Sequence, residues 1–477
     1  MLFNSVPYIF FFLPGVVIVY FALNRQHRVE AAKWWLAAAS IVFYAWWNLA
    51  NLPLLLLSVT TNWLAVNAIW RARERGSGRE GRFLVAGLLF NLLFLGLFKY
   101  YDFVAASVNA ALATNLPLLG VALPLGISFF TLTQIAYLVD AREGLVPRQR
   151  FQNFALFVLF FPHLIIGPIL HHKDMMPQFE TLKTKVFSLD NLAAGLLRFG
   201  IGFAKKALIA DPLGIYVRLA FDDAPHLGGG EAWQAAIAFA FQLYFDFSGY
   251  VDMALGSALM LNIRMPENFD SPLRARSIIE FWSRWHMTLT RFLTTYIYTP
   301  LLYAMKPLSF AKSMAAVFVT FFIAGIWHGA AWTFIVFGAA HGAALTINHV
   351  WRRQRWPMPG PIGWALTFGF VMCTFVLFRA KSLHDALKVF AGMLGLDGWK
   401  ALNGWPSRLP VAVPDALVAY GIDPLVVVLV ILSAVLVFAC ANSTNLTARF
   451  QDYLKGPSRG HRPDSGALDA DLSRNFR

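Results

Sequence analysis

One segment of the chain contains histidines but no other ionisable residue, and a histidine lies near its centre. His328 lies in the segment Gly325-Ile-Trp-His-Gly-Ala-Ala-Trp332, and no Asp, Glu, Lys or Arg occurs from Ser313 to Val350. An imidazole with an ordinary pKa of about 6.5 can accept a proton from a hydroxyl group at neutral pH. A lone histidine in an apolar helix can equally serve packing, and these residues alone favour neither role.

A second histidine follows a group of aromatic residues. In Phe281-Trp-Ser-Arg-Trp-His286, aromatic rings flank the guanidinium of Arg284 and the imidazole of His286. Aromatic clusters of this kind are typical of the membrane–water interface. The motif therefore fits an interfacial belt as well as a catalytic site.

Two carboxylates occur in the strongly apolar segment Tyr244-Phe-Asp-Phe-Ser-Gly-Tyr-Val-Asp252. Near the centre of a bilayer each ionised group costs about 2.5–3.5 kcal/mol. Asp246 and Asp252 are separated by about 240° around a helix, so they share no face unless Gly249 breaks it. We expect capping or pairing inside the protein for them rather than catalysis.

The pattern of histidines and cysteines does not indicate a metal site. His171 and His172 are adjacent, which predicts rings that point apart, and no His-x-x-x-His pair or Cys cluster accompanies them. Cys373 and Cys440 lie in apolar runs and are expected to be inert. We expect neither a bound metal nor a bound cofactor.

The elements that position these residues are membrane-spanning helices. Of 477 residues, 58% are hydrophobic and 14% are charged, against about 25% charged in a soluble domain. Apolar runs near the ~20 residues needed to cross a bilayer recur along the chain. The prediction is an all-α polytopic protein of about ten to twelve spans, with re-entrant or surface helices between Phe161 and Met265.

Basic residues indicate the orientation. The net charge of +14 arises from short Lys and Arg clusters between apolar runs, as the positive-inside rule predicts, and not from a nucleic-acid-binding domain. The clusters at 25–33 and 71–82 predict a periplasmic N-terminus, and a cytoplasmic C-terminus is predicted by Arg449, Lys455, Arg459 and Arg462. Residues 1–441 are expected to form one membrane domain, embedded in lipid, and residues 442–477 a disordered cytoplasmic tail.

His328 also has a predicted depth. Lys312 and Arg352 bracket its segment, so both ends are expected in the cytoplasm, with two spans between them. His328 would then lie near the far end of this hairpin or in a broken helix. Gly325 and Gly329 could admit a substrate or a neighbouring helix, and His341 is expected to pack.

At these residues the sequence resembles the membrane-bound O-acyltransferase family, in the bacterial branch whose enzymes act on alginate and teichoic acid. The resemblance covers most of the chain. It rests on eight motif blocks in family order, which are Pro124–Thr131 with Ala136–Asp140, Phe161–Pro162 with Gly167–Ile169, Phe203–Lys206, Tyr244–Asp252, Asn268–Pro272, Phe281–His286, Gly325–Gly329 and Phe378–Ala380.

This resemblance implies an acyltransferase with two catalytic residues. His328 would be the general base, and His286, beside Arg284, would hydrogen-bond the thioester carbonyl or the leaving thiolate. Residues of the matched blocks would support the site or bind substrate, namely Asp246, Ser248, Asp252, Arg284, Trp327, Lys205 and Lys206. The two lysines would meet the phosphates of coenzyme A or an acidic carrier, unless they are a plain cytoplasmic surface pair.

The substrates follow from the same resemblance. A cytoplasmic acyl thioester, either acetyl-CoA or an acyl carrier, would donate an acetyl group across the bacterial inner membrane for O-acetylation of an exported polysaccharide such as alginate. A periplasmic partner protein would relay the acyl group. D-alanyl transfer remains an alternative enzymatic activity. A lipid or sugar transporter and a structural scaffold remain alternatives that are not enzymes.

Overall fold

The computed structural model describes residues 1–402 and 423–455, and these residues fold into α-helices with no β-strand among them. The helices are α1 (Leu13–Arg25), α2 (Val29–Ala45), α3 (Leu52–Glu74), α4 (Glu80–Leu95), α5 (Tyr101–Leu112), α6 (Ile127–Glu143), α7 (Phe151–Leu159), α8 (Phe161–Leu164), α9 (His172–Glu180), α10 (Leu189–Ala204), α11 (Asp211–Arg218), α12 (Gly229–Met260), α13 (Ile278–Arg284), α14 (Met287–Leu293), α15 (Thr299–Ala304), α16 (Phe310–His328), α17 (Trp332–Arg353), α18 (Gly360–Arg379), α19 (Leu383–Met393), α20 (Pro424–Phe438) and α21 (Ser443–Lys455).

Six helical segments of the described chain are long and apolar enough to cross a membrane: Tyr8–Arg25, Leu49–Glu74, Glu80–Leu112, Phe310–His328, Trp332–Arg353 and Gly360–Arg379. A seventh forms if α20 and α21, bent by 56°, count as one span. The all-α polytopic prediction is confirmed. The spans are fewer than the ten to twelve expected, because other apolar runs fold into helices that are shorter, such as the 17-residue α2, or more polar.

Broken or surface helices were predicted for the whole region from Phe161 to Met265, and the structure confirms this for only part of it. Short helices and π-helical turns occupy its first half, but α12 then runs unbroken for 32 residues, roughly 48 Å. Two glycine pairs let α10 pack closely on α12. A Cβ at Gly202 would lie 2.5 Å from the carbonyl oxygen of Gly249, and one at Gly195 would lie 2.7 Å from that of Gly256. Gly249 thus allows close packing and does not break the helix.

The hairpin of α16 and α17 has the predicted form. Ser309 caps α16 by accepting a hydrogen bond from the backbone N–H of Lys312, and the helix ends at His328. Residues 329–331 are not helical, and α17 begins at Trp332. A Cβ at Gly325 would lie 2.5 Å from the Cα of Gly338, so this glycine admits the neighbouring helix rather than a substrate.

The predicted disordered tail is wrong for its first part. Residues Ser443–Lys455 form α21, and Ser443 is buried. The hydroxyl of Ser443 donates a hydrogen bond to Asp252 at 3.0 Å, and that of Thr444 donates to Glu267 at 2.9 Å. The polar side chains that suggested disorder instead donate hydrogen bonds to carboxylates of other elements. Residues 456–477 lie outside the described part of the chain.

Candidate active site

A cavity of about 890 Å³ contains both histidines singled out by the sequence. Most of its wall is apolar or aromatic, with contributions from Phe129, Phe247, Trp282, Trp285, Trp327, Phe337 and Phe378. The polar side chains that line it are few: Asn4, Lys99, Ser128, Lys206, Asp211, Asp246, Tyr250, His286 and His328. The helix end after α16 and the turn between α13 and α14 bring the two histidines together, although 42 residues separate them in the sequence.

His328 is the last residue of α16 and is half-buried. Its ring centroid lies 5.0 Å from that of Trp327, 5.3 Å from that of Phe378 and 5.8 Å from that of Phe337. Within the described chain, the ring makes no hydrogen bond. Its nitrogens are therefore free to engage a substrate in the cavity.

His286 is 2% exposed and is held in a left-handed backbone conformation, with φ of 47°. This conformation is uncommon for a non-glycine residue and costs on the order of 1–3 kcal/mol, so the surroundings must enforce it. An isolated bridge between Phe269 and Trp285 and a hydrogen bond from Met287 N–H to the carbonyl of Asn268 fix the turn on both sides of the ring.

The amide oxygen of Asn268 determines which nitrogen of His286 carries hydrogen. This oxygen accepts hydrogen bonds from the backbone N–H of Thr288 at 3.1 Å and from its hydroxyl at 3.0 Å, and it lies 3.2 Å from His286 Nδ1. A backbone N–H can only donate, so the hydrogen-bond network identifies the facing atom as oxygen. His286 Nδ1 therefore donates, and neutral His286 has its lone pair on Nε2.

Lys99 is a polar residue of the cavity that the sequence did not single out. Its Nζ donates hydrogen bonds to the carbonyl oxygens of Trp327 and His328 and to the hydroxyl of Ser128. The signal that could have found it is its position directly after the apolar run Phe83–Phe98, where a lysine is expensive if the span continues past it.

Asp246 and Lys206, both predicted to support the site, do line the cavity. Lys206 Nζ lies 2.5 Å from Asp246 Oδ1 and 2.6 Å from Asp211 Oδ1. Trp327 lines the same space, and its indole Nε1 has no hydrogen-bond partner in the described residues.

Other predicted residues lie away from the cavity. Asp252 is buried in an ion-pair network, with Arg198 Nη2 at 2.9 Å from Oδ1 and Lys205 Nζ at 2.6 Å from Oδ2. Ser248 is 2% exposed, and its hydroxyl has no partner among the described residues. The structural role expected for Asp252 agrees with this placement.

Two expectations about basic residues are wrong. Arg284 does not line the cavity beside His286, because its guanidinium pairs with Glu280 one turn earlier on α13, at 2.9 Å. Lys205 and Lys206 are not a plain surface pair, since carboxylates already engage both.

The adjacent histidines of the sequence also differ from expectation. The rings of His171 and His172 do not point apart: His171 Nε2 and His172 Nδ1 each lie 2.9 Å from the same oxygen of Asp140, where the hydroxyl of Tyr296 also donates at 2.9 Å. The three potential metal-ligand atoms lie within 4.8 Å of one another. Each ring nitrogen of this pair has a hydrogen-bond partner within the described residues.

His341, expected to pack, is fully buried and accepts a hydrogen bond from Trp282 Nε1 at its Nδ1, 3.1 Å away. Its Nε2 lies 3.0 Å from the hydroxyl of Thr374. Both of its nitrogens are thus used within the protein.

The fold and the cavity define an all-helical integral membrane protein in which two histidines line one cavity of low polarity. The sequence model of the membrane-bound O-acyltransferase family matches residues 122–382, which include both histidines.

Known relatives agree with this match. A peptidoglycan O-acetyltransferase of Helicobacter pylori is 41% identical over 429 residues, covering 83% of this chain and 80% of the relative. A probable alginate O-acetylase of Pseudomonas putida is 37% identical over 407 residues, covering 84% and 81%. A teichoic acid D-alanyltransferase of Bacillus subtilis is 28% identical over 276 residues, covering 54% and 69%. The chain belongs to the membrane-bound O-acyltransferase family and is an acyltransferase.

Proposed function

We propose that this acyltransferase moves an acetyl group from a thioester across the membrane to an acceptor hydroxyl, for the O-acetylation of a cell-envelope polysaccharide. The observation that carries the proposal is the single apolar cavity that holds His286 and His328. The substrate class rests on the relatives named O-acetyltransferase or O-acetylase, which match more than four fifths of the chain. Peptidoglycan and an exported polysaccharide such as alginate are the two acceptors that their names suggest.

In this mechanism His328 takes the proton of the attacking hydroxyl. The hydroxyl oxygen then bonds to the acyl carbon, the carbon–sulfur bond breaks, and the thiolate leaves. General-base assistance of this kind contributes about 10²–10⁴ in rate. The aromatic wall supports the same chemistry, because excluding water prevents hydrolysis of the thioester.

His286 acts as the second catalytic residue. Because Asn268 accepts from its Nδ1, a neutral His286 offers only a lone pair at Nε2. Hydrogen bonding from Nε2 to the thioester carbonyl or the leaving thiolate therefore requires that His286 first gain a proton. The proton in question is the one that His328 takes from the hydroxyl: His286 Nε2 accepts it and passes it to the leaving thiolate, rather than donating from the start.

We further propose the setting of the reaction. The thioester, acetyl-CoA or an acyl carrier, arrives from the cytoplasmic side of a bacterial inner membrane, with the N-terminus periplasmic and the C-terminus cytoplasmic, as the basic clusters predict. A periplasmic partner protein accepts the acyl group and completes transfer to the glycan. Asp246, Asp211 and Lys206 supply polar contacts for the incoming hydroxyl.

The test uses purified protein in lipid nanodiscs with radiolabelled acetyl thioester and soluble peptidoglycan or alginate fragments as hydroxyl acceptors, together with base-released acetate measured from cell-wall and extracellular polysaccharide. His328→Ala should abolish thioester consumption and acetylation, whereas His384→Ala, at an exposed position on α19, should leave both unchanged. Full acetylation by His328→Ala cells would refute the proposal. The polymer that loses acetate identifies the acceptor.

D-alanyl transfer is the second candidate, because a relative with that name also matches, over about half of the chain. Supplying D-alanyl and acetyl thioesters in parallel to the same nanodiscs separates the two. Preferential use of the D-alanyl thioester would replace acetyl as the transferred group and would leave the role of the cavity unchanged.

A further inference from the structure

Lys99 and Tyr100 hold the end of the helix that carries His328. They lie in the π-helical turn Gly96–Tyr100, inside the long span Glu80–Leu112. Lys99 Nζ donates to the carbonyl oxygens of Trp327 and His328, and the Tyr100 hydroxyl donates to that of Ile326 at 3.0 Å. Two consecutive residues of one span thus engage three consecutive carbonyls of another helix.

These carbonyls need partners from outside their own helix. The last four C=O groups of an α-helix have no N–H donor within the helix, and leaving one buried and unsatisfied costs about 1–3 kcal/mol. The residue after His328 is extended, with φ of −163° and ψ of 158° at Gly329, so the chain turns away without folding back on the carbonyls. Lys99 and Tyr100 provide the missing cap, and they thereby fix the position of the backbone from which the ring of His328 extends.

The charge of Lys99 is more than a cap requires. No Asp or Glu of the described residues forms an ion pair with Lys99, in contrast to Lys205 and to Lys206, which lines the same cavity but is paired with two carboxylates. A lysine at membrane depth costs about 2.5–3.5 kcal/mol on the insertion scale, whereas a neutral donor could satisfy the same carbonyls. The ammonium lines the reaction cavity and so places an uncompensated positive charge beside the reacting groups.

We propose that Lys99 is a positioning residue for His328, and that its charge also stabilises the negative charge that develops on the acyl oxygen during transfer. The inference rests on the proposed function. Lys99 lies outside residues 122–382, which the family model matches, so that match gives it no role. Neutral His286 cannot donate from Nε2, and this leaves Lys99 as a source of positive charge at the cavity.

The experiment compares three replacements at one position, in the full-length protein in nanodiscs with acetyl-CoA as the donor. Lys99→Met removes the donors and the charge, Lys99→Gln keeps an amide donor without charge, and Lys99→Arg keeps both. For monodisperse protein we expect kcat to fall about 10²-fold in Lys99→Met, less in Lys99→Gln, and less than tenfold in Lys99→Arg, with KM for the thioester within threefold throughout.

Thermal unfolding of each variant separates catalysis from folding. A purely structural cap would lower the unfolding midpoint and the yield of folded protein while leaving kcat of the folded fraction unchanged, and that result overturns the inference. So does a Lys99→Gln protein with kcat within threefold of the parent. If Lys99→Met does not fold, Lys99→Gln against Lys99→Arg carries the comparison.

Tyr100→Phe is a matched variant, since it removes one neutral hydrogen bond from the same cap. It should lower kcat less than Lys99→Met does, and an equal loss would mean that the charge contributes nothing. The parent and His328→Ala run in the same assay. A parent that does not consume thioester, or a fully active His328→Ala, refutes the proposed function itself, whereas an active Lys99→Met beside an inactive His328→Ala refutes only the inference on Lys99.

Discussion

Two histidine pairs of this protein have opposite surroundings. His171 and His172 converge on one carboxylate, Asp140, and protein groups engage every one of their ring nitrogens. His286 and His328 share a cavity in which the ring of His328 has no hydrogen-bond partner among the described residues and His286 uses only Nδ1.

This difference in hydrogen bonding shows which histidines can contact a substrate. A histidine whose nitrogens are all used by the protein contributes to stability and offers nothing to a substrate. A histidine that uses one ring nitrogen within the protein has the other available to the cavity, and one that uses neither has both available. Residue type and burial do not distinguish the pairs, but the count of unused nitrogens does.

The sharpest way to break this comparison is to replace both cavity histidines. His286→Ala and His328→Ala should each lower kcat by about 10²–10⁴. The double variant should have a kcat only slightly below that of the less active single variant, because the two histidines act as a unit. Thioester turnover in nanodiscs gives the measurement. His171→Ala is the matched control and should change kcat of the folded protein less than threefold; a larger loss would place that pair in the chemistry as well.

Removing the group that orients His286 should have the next largest effect. Asn268→Ala frees Nδ1, so neutral His286 should become a mixture of tautomers, and kcat should fall by up to about 10²-fold. Nitrogen-15 NMR of labelled histidine, assigned by difference with His286→Gln, reports the tautomer directly. Asn268→Asp keeps an acceptor at this place and should restore the Nδ1–H form. An unchanged spectrum in Asn268→Ala would contradict the assignment.

At the other pair, the expected effect is on stability. Burial alone would raise the pKa of Asp140, but hydrogen bonds from His171 and His172 hold it well below its ordinary value. Asp140→Asn should therefore reduce the free energy of unfolding at pH 7 by about 1–3 kcal/mol.

The pH dependence of that loss has a definite sign. A carboxylate with a depressed pKa stabilises the protein fully above the unfolded pKa, about 3.9, and this stabilisation is lost as the pH falls from there through the lower folded pKa. Thermal unfolding should show nearly the same gap between the parent and Asp140→Asn at pH 7 and at about pH 5, and a gap that narrows as the pH is lowered further to about 2. A gap that widens on acidification would reverse the interpretation of this cluster.

The smallest effect is expected at the rim of the cavity. Lys206 is partly exposed and its ion pairs with Asp246 and Asp211 should each contribute about 1 kcal/mol or less. Lys206→Met should change KM for the acceptor by no more than about fivefold, with kcat nearly unchanged. Lys205→Met, which removes a partner of the buried Asp252, should instead lower the unfolding midpoint.

Much of the fold could be predicted from the chain alone. Apolar runs and low charge predicted an all-helical membrane protein, and the uncharged segment around His328 forms the two-helix hairpin that its length predicted. The number of spans was overestimated, because hydropathy does not separate a span from a buried interior helix, and α21 was missed, because its polar residues find partners only in the folded protein.

The sequence by itself determined the identity of His286 and His328 as the residues to examine, because ionisable groups are expensive in apolar segments and because their motifs resemble an acyltransferase family. Only the tertiary structure decided which polar residues meet them. It brought Lys99 to the end of the His328 helix, a contact between segments far apart in the chain, and it left Arg284 paired with Glu280 on its own helix. Spacing along one helix carries no information about a neighbour supplied by another, and the chemistry of this site depends on such neighbours.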